Sequence, residues 1–76
     1  MTEIHALIQY YKGAYHTERI SRKPLNTSGL LMLSEPLAPN VQVIFWYPQD
    51  LSHDTARWLA KDFAVDLKRE LANSGK

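Results

Sequence analysis

The chain is 76 residues long, 45% hydrophobic and 22% charged, with a formal net charge of +1 and no cysteine. That length supports a single domain over 1–76 whose core is near the lower limit of self-sufficiency, and the apolar content excludes a globally disordered chain. The missing cysteines exclude a disulfide framework and thiolate chemistry, and a net charge so near zero singles out no class of partner.

No basic segment precedes an apolar run at the N-terminus, and every apolar run is far shorter than a membrane span. A cytoplasmic protein that does not cross a membrane is expected. Charge is unevenly spread. Lys12, Arg19, Arg22 and Lys23 stand against Glu18 alone, and from Pro24 to Gln49 the only charge is Glu35. The middle segment must be largely buried in the fold or against something else.

Residues 2–12 fit two templates. Ile4, Leu7, Ile8, Tyr11 and Tyr15 share one helical face, with Thr2 as N-cap, Glu3 in the first turn and Gly13 as the stop. Alternatively Ile4, Ala6, Ile8 and Tyr10 alternate as in a strand, and Lys12-Gly13 turns a hairpin. The strand template leaves Leu7 and Tyr11 on the wrong face, so a short helix is preferred. Ala14–Ser21, rich in Tyr, Thr and Ile, reads as a half-exposed or edge strand, and Asn26-Thr27-Ser28-Gly29 as a loop.

Leu30–Leu33 and Val41–Tyr47 read as two strands paired antiparallel. The second is so dense in β-branched and aromatic residues that it fits a central strand covered on both faces. Pro36 and Pro39 remove backbone donors and end the strands, and 35–40 is too long for a tight two-residue turn. Which of the two alternating sets in 42–47 faces outward is left open by the pattern.

Ser52–Asn73 predicts one amphipathic helix. At about 100° per residue, Ala56, Leu59, Ala60, Phe63, Ala64, Leu67 and Leu71 fall in one arc. Ser52 is a good N-cap, Asp54 and Lys68/Arg69 complement the helix dipole, and Asn73-Ser74-Gly75 suits a C-terminal stop. The expected fold is therefore α+β: a short N-terminal helix, a three-stranded antiparallel sheet and a long C-terminal helix on one sheet face. In the alternative, the N-terminal segment is a fourth strand.

The far side of that helix carries Trp58, Val65 and Ala72 at a spacing of seven. Arg57, Lys61 and Lys68 line one edge of this strip; Asp62, Asp66 and Arg69 line the other. An apolar strip between charged rails suits a partner-binding or dimerising helix, unless another part of the chain covers Trp58.

Metal and catalytic chemistry find no support. His5, His16 and His53 lie in different elements without ligand spacing, so no metal or cofactor is expected. There is no nucleophile elbow, P-loop or dinucleotide fingerprint, and Asp62/Asp66 belong to a solvated, charge-patterned face. The expected function is a non-enzymatic protein–protein interaction module, a small regulator, inhibitor or adaptor. It docks through Arg57, Trp58, Lys61, Val65 and Ala72, on another protein or as a homodimer.

The alternative is nucleic-acid binding by the tyrosine-rich segment 10–23, where Lys12, Arg19, Arg22 and Lys23 would meet phosphate and Tyr15 would stack. The expected element order also matches that of double-stranded-RNA-binding domains. In that family a lysine cluster opens the last helix; here Ser52-His53-Asp54-Thr55 has an acid and no lysine.

Overall fold

A computed structural model describes residues 2–74. Four strands precede one helix: β1 (Thr2–Tyr11), β2 (Ala14–Ile20), β3 (Leu30–Ala38), β4 (Val41–Pro48) and α1 (His53–Ser74). The sheet order is β2-β1-β4-β3. β1 pairs antiparallel with β2 and parallel with β4, and β3 pairs antiparallel with β4. The fold is α+β with a mixed four-stranded sheet.

The N-terminal helix is thus corrected to a strand, and the three-stranded antiparallel sheet to a four-stranded mixed one. Ile4, Ala6 and Ile8 are buried under α1, as the alternating template requires. Lys12 and Gly13 close the β1–β2 hairpin with φ of 50° and 89°, the two positive values that favour a two-residue turn matched to strand twist. Leu7 and Tyr11 point to the other side of the sheet. Leu7 is half-buried there and Tyr11 exposed, so both apolar faces of β1 have a use that a single helical stripe does not describe. With a strand at the N-terminus, the element order no longer matches that of double-stranded-RNA-binding domains.

β3 also runs further than its proline content suggests. It continues through Pro36 to Ala38, with a register irregularity between Pro36 and Ala38. Pro36 is tolerated because β3 is an edge strand with nothing to donate to on its outer side. The turn to β4 is therefore only Pro39-Asn40.

β4 supplies the centre of the core. Val43, Phe45 and Tyr47 face α1, and Phe45 meets Phe63 edge-on at 5.8 Å between ring centroids. Ile44 and Trp46 face the opposite way, yet they are also buried. The connection 21–29, which must pass from the β2 edge to the β3 edge, crosses this side and meets Trp46. Three inter-strand gaps amount to about 14 Å, and nine extended residues reach up to about 30 Å. Within this strap Lys23 Nζ lies 5.9 Å from the centre of the Trp46 ring. Trp46 Nε1–H donates to His5 Nδ1 at 3.3 Å, and the two rings stack.

α1 begins at a capped turn. Thr55 N–H donates to Ser52 Oγ at 3.2 Å and Ala56 N–H to Ser52 O at 2.9 Å. Ala56, Ala60, Ala64 and Leu67 are buried against the sheet, with Leu59 and Phe63 packed beside them. The three alanines bring the helix backbone close to the sheet. Twenty-two residues extend about 33 Å, whereas the eight of β4 extend about 26 Å. The last turns project past the core, and Leu71, expected inside, is 43% exposed. Asn73 and Ser74 remain helical; the stop read at Gly75 lies outside the described residues. No helix among the described residues is long and apolar enough to cross a membrane.

Candidate functional site

The outer face of α1 is the side opposite Ala56, Ala60 and Ala64. Trp58 is 72% exposed and Val65 55% exposed, and Ala72 is exposed further along. No described segment covers Trp58, so intramolecular cover of the strip is not what the fold provides. Asp54, Arg57, Lys61 and Asp62 border a shallow hollow with the Trp58 ring as part of its wall. Because α1 is anchored by its inner stripe and its N-cap, this ring projects from a rigid element. Burying an indole is among the larger apolar gains a single side chain can make. Arg57, Lys61, Val65 and Ala72 are all brought to this one face, as the spacing requires.

The basic segment is divided. Arg19 lies opposite Ala6 and Tyr15 opposite Tyr10, so both belong to the α1 side of the sheet. Tyr15 Oη–H donates to Asp50 Oδ2 at 3.5 Å, and its ring meets that of Tyr10 at 5.2 Å. Partial burial, then the Asp50 charge and hydrogen bond, and then Tyr10, hold the Tyr15 phenol above its ordinary pKa. On the other side Lys12 Nζ sits 5.3 Å from the Tyr11 ring centre, and Tyr11 meets His16 at 6.2 Å. Arg22 and Lys23 lie on the strap, Lys23 against Trp46. The five residues read as a nucleic-acid set therefore do not share one surface.

The histidines are likewise dispersed. His5 accepts from Trp46, His16 lies beside Tyr11, and His53 Nδ1 is 3.1 Å from Tyr47 Oη. Among the described residues no group of three or more His, Cys, Asp or Glu side chains is gathered that would hold a metal ion.

One surface escaped the residue pattern: the outer edge of β3, where Leu31 and Met32 are 43% and 58% exposed. The run Leu30–Leu33 is legible as a strand, but its place at an edge depends on sheet order. Its only sequence signal is the proline and acid that follow it.

No family model matches the chain, and no curated protein or solved structure matches it either.

Proposed function

We propose that the protein is a non-enzymatic interaction module that docks on another protein through the outer face of α1. The exposed Trp58 carries this reading. A small fold whose buried helix positions include three alanines leaves one of its two tryptophans in solvent, where it adds little to its own stability. The partner's surface would offer an apolar cleft for Trp58 and Val65. It would carry carboxylates where it meets Arg57, Lys61 and Lys68, since opposite charges at an interface rim speed association and fix orientation. Nucleic-acid binding draws less support, because Tyr15 and Arg19 lie on the other sheet face from Tyr11 and Lys23.

Affinity capture from the native lysate, with and without nuclease, separates the two. A protein retained after nuclease by the wild-type chain, and lost with Val65→Asp, is the expected result. Retention that disappears with nuclease, or falls steeply with salt and with joint replacement of Arg19, Arg22 and Lys23, would instead favour nucleic acid.

A further inference from the structure

The two edges of the sheet are protected differently against pairing with another strand. Charges, prolines and bulges blunt an edge. β2 carries Glu18 and Arg19 side by side, with His16 near them. β3 concentrates its protection at one end, in Glu35, Pro36 and the irregularity before Ala38. Its other half, Leu30 to Ser34, contains no charge, proline or glycine.

Register shows which backbone groups of that half point outward. The Pro39-Asn40 turn closes on Ala38 opposite Val41. A two-residue hairpin ends in a hydrogen-bonded pair, and such pairs alternate along an antiparallel ladder. Carried along β4, the alternation makes Glu35, Leu33 and Leu31 the residues bonded to Val43, Phe45 and Tyr47. The even-numbered residues of β3 then turn N–H and C=O away from β4. Two observations agree. Pro36, which has no N–H, belongs to that set, and Leu30 N–H donates to Thr27 O at 3.0 Å. Met32 and Ser34 are left with outward donors, and Leu30, Met32 and Ser34 with outward acceptors.

We propose that a second copy of this chain adds to β3 in antiparallel register about a two-fold axis through Met32, making one continuous sheet. Met32 then faces its own copy and exchanges two backbone hydrogen bonds with it. Leu30 lies opposite Ser34 of the second copy, and each Ser34 N–H donates to a Leu30 C=O. Leu30 N–H needs no partner there, since Thr27 already accepts from it. Leu31 lies opposite Leu33 of the second copy, so four leucines extend the core under the two helices. Pro36 falls opposite Ser28 of the second copy, beyond the start of its strand.

The segment is its own complement under this symmetry. It carries no charge to repel its copy, and pairing stops short of the proline in both directions. These features favour a second copy over an unrelated strand. The outer face of α1 points away from the sheet and stays open, so this contact is independent of the docking proposed above.

The chain has no native cysteine, so the register is testable by single thiols. Directly opposed hydrogen-bonded residues lie about 5.5 Å apart in Cα, within the disulfide range of about 4.4–6.8 Å. Leu30 and its own copy, four residues apart along the strands and one strand spacing across, would be about 14 Å apart. Mild oxidation is expected to cross-link Met32→Cys into a covalent dimer much faster than Leu30→Cys.

In sedimentation the wild-type chain is expected to dimerise reversibly. Met32→Pro removes an outward N–H and no β3–β4 hydrogen bond, and should weaken the dimer at least tenfold with an unchanged far-ultraviolet circular dichroism spectrum. Met32→Lys sets two cations face to face at the axis and gives the same readout should proline unfold the strand. A wild-type chain that stays monomeric up to its solubility limit overturns the proposal. So does equal cross-linking of Leu30→Cys and Met32→Cys, or a dimer that survives Met32→Lys and is lost with Trp58→Ala.

Discussion

The two tryptophans occupy equivalent places in the architecture and meet opposite fates. Each lies on the back of a layer, Trp46 behind the sheet and Trp58 behind the helix, away from the interface that the two layers share. The chain covers the first. A strap of nine residues crosses the sheet, Lys23 lies over the indole, His5 accepts its N–H, and 8% of the residue remains accessible. Nothing described covers the second, which is 72% accessible. The difference separates an aromatic used for folding from one available for binding. The strap follows from topology, since β2 and β3 stand at opposite edges and their connection has to cross one face. The helix has no corresponding connection over its back.

Several substitutions sharpen this contrast, beginning with the largest expected effect. Trp46→Ala removes a buried aromatic from under the strap and should cost about 3–5 kcal/mol. That is comparable to the whole stability of a domain this size, roughly 4–11 kcal/mol, and urea unfolding would show it as a large drop in midpoint. Ala60→Leu adds bulk where α1 approaches the sheet and should destabilise by about 1–3 kcal/mol. Lys23→Ala removes the cation over the Trp46 ring and should cost about 0.5–1 kcal/mol. Its effect should vanish in a Trp46→Leu/Lys23→Ala cycle, because leucine offers no π face to the cation.

Much of this arrangement is legible in the residues. The i, i+3, i+4 spacing of the inner stripe as far as Leu67, the Ser52 cap and the almost wholly apolar run of β4 are each found; only Leu71 falls outside the core. The outer strip was readable for the same reason, since a regular helix fixes which residues share a face. The residues favour a helix where the structure has the N-terminal strand, because Ile4, Leu7, Ile8 and Tyr11 satisfy a helical stripe while the strand template, met by Ile4, Ala6 and Ile8, leaves Leu7 and Tyr11 on the opposite face. Only the parallel partner β4 and the cover behind the sheet decide between them. Such cover is a long-range property that neither periodicity contains. Pro36 misled for a related reason: a proline ends a central strand but is admissible on an edge, and edge position is a fact about sheet order. The same dependence kept the outer edge of β3 out of view.

The proposal that the back of α1 serves binding and not folding is tested most directly by Trp58→Ala, comparing at matched concentrations the protein captured after nuclease treatment. The expected result is at least a tenfold loss of capture, with the urea unfolding free energy unchanged within about 0.5 kcal/mol. Undiminished capture, or a loss of stability approaching that of Trp46→Ala, would contradict it.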